Sequence, residues 1–243
     1  SIKSPEEIEK MRKAGEIARR VHRAVVEAIK PGMTELEIAE EIEYAIRKRG
    51  GADPAFYGYI VIGFPTSISV NEAVAHYSPD DRVLKDGDIV LIDAGAEYDG
   101  YHGDIARTFP VGKPTPDARK LYEAVLEAQE AAIEAIKPGN TLSDIHAAIQ
   151  KVAESELGQC KPVRHGLGHG IGLDVHDVPG VPQYDRGDTR VLEEGMVFTI
   201  EPGVYFGGVP GRTRGDGWVR IEDDIVVSEQ GEETLTVTPN GPE

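Results

Sequence analysis

Four carboxylates interrupt stretches of this sequence that otherwise have the composition of buried strands. Asp93 lies in the apolar run 91–95, and Glu201 lies in a similar run, 199–203. Asp104 and Glu222 occupy comparable places in the stretches 103–108 and 219–227. Because an unpaired buried carboxylate is energetically costly, each of these acids is expected to bind a metal ion or an ionic partner.

The spacing of the first two acids predicts that they share one face of a hairpin. Asp99-Gly100 is a strong two-residue turn signal, and it pairs Gly95 with Asp104 and Asp93 with Ala106. The two aspartates then lie in diagonal positions with Cα atoms roughly 7–8 Å apart. Two carboxylates at that distance can hold one pair of cations between them; the alternative is two solvated acids on an exposed sheet face.

A glycine-rich segment, residues 165–177, supplies three histidines: His165, His169 and His176. Glycine at every second position excludes a helix that presents two histidines to zinc. A phosphate-binding loop is a weak alternative, because no helix follows the segment. The glycines favour a backbone that passes close to a ligand, with His169 coordinating it, whereas a structural role for each single histidine is the competing interpretation.

Together these residues form a set of four carboxylates and one imidazole, which is rich in oxygen donors. Such a set suits Mn²⁺, Co²⁺ or Fe²⁺ and permits Zn²⁺. Four acids are too many for one cation but appropriate for two bridged ions, which produce a nucleophile at neutral pH and polarise a carbonyl. The reaction class that follows is hydrolysis of an amide or an ester. The residues of the set are Asp93, Asp104, His169, Glu201 and Glu222.

The elements that must position these residues occur twice. Residues 84–95 are similar to residues 192–203, and residues 29–34 are similar to residues 136–141, at offsets of 108 and 107 positions. Two similarities at nearly one offset predict two related halves, about 1–112 and 113–243, and two copies are too few for a solenoid.

Each half has helices followed by strands, which predicts an α+β fold with segregated layers. Capping signals at Ser4, Thr34, Thr115 and Thr141 open the predicted helices, and Pro31-Gly32 ends the first of them. The predicted helices are 5–30, 34–49, 115–136 and one that begins at 141. The predicted strands of the first half are 57–62, 67–75, 88–96 and 101–111.

Composition excludes several classes of partner. The 243 residues carry 26 basic and 43 acidic side chains, a net charge of −17, which argues against nucleic acid and anionic membranes. The single cysteine, Cys160, excludes an intramolecular disulfide and a cysteine-based zinc site. No apolar run approaches the ~18 residues of a membrane span, and the first thirty residues are not a signal peptide, so we expect a cytoplasmic protein.

These residues and motifs resemble the pita-bread metallopeptidase family, which includes methionine aminopeptidases, Xaa-Pro aminopeptidases and prolidases. The resemblance extends over nearly the whole chain and implies a pita-bread fold in which residues 1–243 form one catalytic domain. It implies that Asp93 holds one metal, that His169 and Glu201 hold the other, and that Asp104 and Glu222 bridge the two. Glu201 would also carry a proton for the attacking water, and His76 and His176 would contact the scissile peptide and the tetrahedral intermediate.

The motifs divide between two subfamilies. The opening helix and the stretches 71–72, 113–115 and 212–218 look like a bacterial methionine aminopeptidase. The motifs nearest the predicted metals, 76–77, 165–169, 172–177 and 220–224, are similar to Xaa-Pro aminopeptidases and prolidases instead. Because site residues decide chemistry, we expect cleavage of an N-terminal residue that precedes proline, with methionine removal as the alternative.

Two further residues are expected at the substrate. Arg220 has the strand parity of Glu222, so it is predicted to face the site, where it hydrogen-bonds Asp93 or receives a substrate carboxylate; a surface arginine is the alternative. His165 lines the pocket beyond the scissile bond or hydrogen-bonds a loop.

The sequence also leads to expectations about domain content and oligomeric state, and it leaves two rival classes to weigh. Xaa-Pro enzymes of this kind usually carry an extra N-terminal domain, and none is expected here, so peptide-length preference is open and either a monomer or a homodimer is expected. The rival from another class is a binding module that keeps the fold without metals, and a creatinase-like hydrolase acting without metal is a second rival. Intact residues at all five ligand positions disfavour both.

Overall fold

The computed structural model describes residues 2–58, 63–71, 73, 77–156, 166–181, 189–206 and 217–236. It has the predicted α+β architecture, with antiparallel sheets backed by helices. The helices in this part of the chain are α1 (Pro5–Ala28), α2 (Glu35–Tyr44), α3 (Pro116–Glu134) and α4 (Leu142–Glu156). None of these described helices is both long enough and apolar enough to cross a membrane.

The helices begin at the predicted caps. Ser4 and Thr34 each accept a hydrogen bond from the backbone of the third helical residue, whose glutamate side chain bonds back to the cap. Thr115 caps α3 in front of Pro116. The second helix differs from the prediction after Tyr44, because residues Ala45–Gly50 continue as a π-helical segment rather than an α-helix.

The strands form two larger sheets and one ribbon. In the first sheet β3 is central, with β1, β2 and β4 antiparallel to it. The second sheet has the order β11-β10-β7-β5-β6, and β8 pairs with β9 in the separate ribbon. The strands are β1 (Asp53–Pro54), β2 (Thr66–Val70), β3 (Ile89–Tyr98), β4 (Tyr101–Pro110), β5 (Gly168–Gly170), β6 (Asp177–Val181), β7 (Val197–Ile200), β8 (Gly203–Phe206), β9 (Gly217–Arg220), β10 (Asp223–Ser228) and β11 (Gly231–Thr234).

Two predicted strands differ from the structure. Residues Ala55–Gly58 form a 3₁₀ turn where the strand 57–62 was expected, and positions 59–62 lie outside the described residues. The strand expected over 67–75 ends at Val70, because Asn71 has a positive φ of 53° and turns the chain. The Asn71 side chain stabilises this turn by accepting a hydrogen bond from the Ile89 backbone at 2.8 Å.

The predicted internal repeat is visible as equivalent contacts. Thr34 forms an isolated bridge with Val83 in the first half, and Thr141 forms one with Val191 in the second. Each half also has its own hydrophobic core. The first lies between α1, α2 and the β2–β4 sheet, and the second lies between α3, α4 and strands β7 and β10.

Candidate metal centre

The first two acids of the site lie on the β3–β4 hairpin in the predicted register. Gly95 pairs with Asp104 and Asp93 pairs with Ala106. The two turn residues, Asp99-Gly100, both have positive φ angles, 51° and 80°, as a primed two-residue turn requires. Asp93 and Asp104 are buried, with exposed fractions of 4% and 2%. The solvated alternative for this pair is therefore wrong.

The second half contributes Glu201 and Glu222, which lie at breaks between strands. Glu201 directly follows β7, and its backbone N–H donates to the carbonyl of Leu167 at 2.8 Å. Glu222 lies between β9 and β10, and its N–H donates to the carbonyl of Ala106 at 3.0 Å. This last bond crosses from the second half to the first, and it brings Glu222 beside the hairpin that carries Asp104.

His169 reaches the same place from the short strand β5. Its backbone N–H donates to the Thr199 hydroxyl at 3.0 Å, and its ring Nδ1 lies 3.1 Å from the Gly170 carbonyl, which assigns the proton to Nδ1. The preceding residue, Gly168, must be glycine, because a Cβ there would lie 1.8 Å from the Thr199 carbonyl oxygen. This close approach is to strand β7, whereas the sequence predicted an approach to a ligand.

The side chains that converge most closely are Asp104, His169 and Glu222. Each offers one ligand atom, and these three atoms lie within 4.8 Å of one another. His169 Nε2 lies 3.5 Å from Glu222 Oε1 and 3.9 Å from Asp104 Oδ2. Asp104 Oδ1 is buried and has no hydrogen-bond partner among the residues that the structure describes. Two carboxylates and a neutral imidazole nitrogen are a donor set that fits a divalent transition-metal ion.

Arg220 connects the remaining two acids to this cluster. Its Nη1 donates to Glu201 Oε2 at 2.8 Å, and its Nη2 donates to Asp93 Oδ2 and lies 3.2 Å from Glu222 Oε2. Only 3% of Arg220 is exposed, so the surface alternative is wrong. Of its two predicted contacts, the hydrogen bond to Asp93 is confirmed, and the substrate-binding role stays a prediction.

The electrostatics of the cluster favour an added cation. Burial, together with the charges of Glu222 and Asp93, raises the pKa of the Asp104 carboxyl well above its usual value. Burial and the charge of Glu222 raise the pKa of Glu201 to about 8, against the opposing effect of Arg220. Burial lowers the pKa of His169, but hydrogen bonding to Glu222 and the charge of Glu201 outweigh it and raise the pKa to about 9. A bound cation replaces these retained protons, because metal ligands must be deprotonated.

The predicted outer histidines are only partly described. The ring of His176 lies 3.9 Å from the ring of His169, centroid to centroid, and the residue is exposed. His76 and His165 lie outside the described residues. Their predicted substrate contacts stay predictions.

Sequence reasoning missed the residues that support the site. Lys3 is buried and forms an ion pair of 3.3 Å with Asp177, the residue next to His176. Asp223 and Asp224 are also buried, directly after Glu222. The pattern that identified Glu222, an acid in an apolar strand, applies to both aspartates as well, whereas no local pattern identifies a buried Lys3.

Two repeated α+β halves, with carboxylates from both and one histidine from the second meeting between them, form the arrangement of the pita-bread fold. Comparison with known proteins gives the family. Residues 9–229 match metallopeptidase family M24, and the chain belongs to this family. Both the predicted family and the predicted fold class are confirmed.

The relatives include both predicted subfamilies. The Xaa-Pro aminopeptidase of Escherichia coli K12 is 40% identical over 98% of this chain, which spans 56% of that enzyme's length. The methionine aminopeptidase of Escherichia coli K12 is 44% identical, over 99% of this chain and 91% of that enzyme. The crystal structure of methionine aminopeptidase from Rickettsia prowazekii superimposes with a TM-score of 0.89 at 32% identity, over 98% of this chain and 99% of that chain.

Proposed function

We propose that this protein is a metal-dependent aminopeptidase that hydrolyses the N-terminal bond of peptides, preferentially where the second residue is proline. One observation carries the proposal. Asp104, His169 and Glu222 come from three separate segments, and their ligand atoms lie within 4.8 Å of one another. Membership of a metallopeptidase family supports the same chemistry.

In this proposal two divalent cations are held by Asp93, Asp104, His169, Glu201 and Glu222. Asp93 would hold one ion, His169 and Glu201 would hold the other, and Asp104 and Glu222 would contribute to holding both. The oxygen-rich donor set favours Mn²⁺ or Co²⁺ over Fe²⁺ or Zn²⁺. When bound, such a pair supplies a nucleophilic water at neutral pH and polarises the scissile carbonyl.

The chain's own residues move the protons and orient the peptide. Glu201 accepts a proton from the attacking water and passes it to the leaving amine. His176 is exposed beside His169, so it can donate a hydrogen bond to the substrate oxygen that becomes negatively charged. His76 is proposed to contact the scissile peptide, and His165 is proposed to line the pocket beyond the scissile bond.

The preference for proline rests on the residues around the ligands. Arg220 is followed by Ile221, Glu222, Asp223 and Asp224, and this motif resembles the Xaa-Pro enzymes. Removal of N-terminal methionine is the second candidate, and it is favoured by the 44% identity over 91% of the methionine aminopeptidase of Escherichia coli. We also propose a cytoplasmic location, a single catalytic domain over residues 1–243, and a monomer or homodimer.

The test is hydrolysis of two matched tripeptides, Ala-Pro-Ala and Met-Ala-Ser, by protein loaded separately with Mn²⁺, Co²⁺ or Zn²⁺. We expect release of alanine from Ala-Pro-Ala to be the faster reaction. Efficient methionine release without cleavage before proline would replace the preferred specificity with the alternative. Cleavage of neither peptide with any of the metals would contradict an aminopeptidase. Glu201→Ala should lose activity, and the exposed Glu229→Ala is the matched control.

A further inference from the structure

A buried ion pair lies where the two halves of the chain cross, outside the predicted ligand set. Arg107 is on β4 in the first half, and Asp223 is on β10 in the second. Arg107 Nη2 lies 2.8 Å from each carboxylate oxygen of Asp223, and both residues are 4% exposed. Asp223 also accepts hydrogen bonds from Thr236 Oγ1 at 2.8 Å and from Gln129 Nε2 at 3.0 Å. The carboxylate is therefore well satisfied by a fixed set of donors.

The same guanidinium also holds the backbone of a predicted ligand. Arg107 Nη1 donates to the carbonyl of Glu222 at 2.6 Å and to the carbonyl of Ala106 at 2.9 Å. Ala106 and Glu222 form the isolated bridge that joins the two halves at this point. Arg107 therefore fixes Glu222 against the strand that carries Asp104, three positions earlier on β4.

A second contact runs in the opposite direction across the same junction. Asp224 Oδ2, from the second half, accepts a hydrogen bond of 2.8 Å from the backbone N–H of Asp104. The backbone N–H of Asp224 donates to Thr236 Oγ1 at 2.8 Å, which is the hydroxyl that also binds Asp223. Each half thus supplies one side chain that holds the backbone of the other half's ligand.

We propose that Arg107 and Asp224 are positioning residues, which set the separation of Asp104 and Glu222 and thereby the affinity of the site for divalent cations. The inference rests on the proposed function, in which these two acids serve both cations. The planar guanidinium is needed because it reaches the Glu222 carbonyl and the Asp223 carboxylate together, whereas a lysine ammonium acts as a single point charge. The competing explanation is that Arg107 only neutralises a buried aspartate.

The experiment measures Mn²⁺ binding by titration calorimetry and the melting temperature of the metal-free protein. Arg107→Met should weaken Mn²⁺ binding about 10–100-fold, the usual effect of removing a residue that orients a ligand. It should also destabilise the fold, because it leaves Asp223 buried without its cation. The double variant Arg107→Met/Asp223→Asn removes that charge, so it should recover melting temperature while Mn²⁺ binding stays weak. Recovery of both properties would overturn the proposal in favour of charge neutralisation.

Further variants keep the test decisive if the double variant does not fold. Arg107→Lys retains a cation beside Asp223, so it should stay folded and still bind Mn²⁺ more weakly; unchanged affinity would overturn the proposal. Asp224→Asn keeps an oxygen for the Asp104 N–H and should bind Mn²⁺ within about 2-fold of wild type, whereas Asp224→Leu should bind it more weakly by about 10-fold or more. Equal losses in both Asp224 variants would contradict its positioning role.

The matched control is Arg12→Met. Arg12 also joins the halves through two hydrogen bonds to one carboxylate, that of Glu233, at 2.7 and 2.9 Å, but its contacts are exposed. Its loss should leave Mn²⁺ affinity unchanged. If wild-type protein binds no Mn²⁺, the proposed function fails; if wild type binds and Arg107→Met binds equally well, only the positioning role fails.

Discussion

The two hairpins that carry the acids differ in continuity. In the first half, β3 runs unbroken through ten residues, Ile89–Tyr98. The corresponding positions 108 residues later, 197–206, are divided into β7 and β8. Strand β4 is likewise continuous, whereas its counterpart is divided into β9 and β10. The breaks occur at Glu201-Pro202 and Ile221-Glu222, where the acids lie.

The break between β7 and β8 occurs at a proline, and it allows residues of the second hairpin to bond to the first half. Pro202 occupies the position that corresponds to Ala94, and it has no N–H for a ladder hydrogen bond. The ladder of the second hairpin therefore stops at Ile200 and resumes at Gly203, although the Pro202 carbonyl still accepts a hydrogen bond from the Ile221 N–H at 3.3 Å. Outside this ladder, the Glu201 N–H donates to the Leu167 carbonyl, and the Glu222 N–H donates to the Ala106 carbonyl of the first half. The interrupted second hairpin therefore bonds to the continuous first hairpin through Glu222, which brings the acids of both hairpins together.

The largest effect should come from removing either Asp104, on the first hairpin, or Glu222, on the second. Asp104→Ala and Glu222→Ala should each lower kcat/KM by about 10³-fold or more, because each removes a ligand shared by both cations. The measurement is the rate of Ala-Pro-Ala hydrolysis at saturating Mn²⁺. A large loss in only one of the two variants would contradict a centre shared equally by the halves. Glu229→Ala, an exposed acid in the turn after β10, is the control.

The contrast also shows what local sequence can predict. The positions of Asp93 and Asp104 follow from the sequence, because a two-residue turn fixes the register of every pair beyond it. The residues Glu201 and Glu222 are also predictable, as acids in apolar runs. Their geometry is not predictable in this way, because the sequence does not mark which residues of the two strands pair.

The partners of the supporting residues cannot be read from the sequence, because each pair is distant along the chain. Arg107 and Asp223 are 116 positions apart, and Lys3 and Asp177 are 174 apart. Nothing in the residues next to Arg107 specifies a partner in the other half. The π-helical segment after Tyr44 is also missed, because apolar spacing over six residues resembles that of an α-helix.

Introducing a proline into the continuous hairpin should lower stability, whereas removing the proline from the interrupted hairpin should lower activity. Ala94→Pro should cost about 1–3 kcal/mol, because Ala94 lies in the central strand between Ile105 and Thr66, where proline removes a ladder hydrogen bond. Pro202→Ala should leave stability nearly unchanged and lower Ala-Pro-Ala turnover about 10-fold, by relaxing the backbone beside Glu201. Urea unfolding of the metal-free variants measures the first effect. Equal destabilisation by both substitutions would show that the two hairpins tolerate proline alike.

The smallest effect concerns one position at which the halves differ in charge. Glu35 and Leu142 are the first residues of α2 and α4, and their N–H groups bond to the carbonyls of Arg82 and Arg190. Burial raises the pKa of Glu35 to about 7 from 4.5, with the charge of Asp80 adding to the rise. Between pH 4.5 and about pH 7, the Glu35 carboxyl is protonated in the folded state and ionised in the unfolded state. The contribution of Glu35 to the free energy of unfolding therefore falls as pH rises through this range.

Glu35→Gln should remove that pH dependence and keep the acceptor for the Asp80 N–H. Relative to wild type, the variant should gain about 1–2 kcal/mol in unfolding free energy between pH 5 and pH 8. Urea unfolding at both pH values is the measurement. Parallel pH profiles for the two proteins would contradict a buried, protonated Glu35.

The central claim is that carboxylates from a regular and an interrupted hairpin hold a pair of divalent cations. Anomalous diffraction from crystals of the protein loaded with Mn²⁺ tests it most directly. We expect two Mn²⁺ peaks per chain, both in contact with Asp104 and Glu222, with His169 on one of them. Well-ordered crystals with no Mn²⁺ peak between these side chains would contradict it.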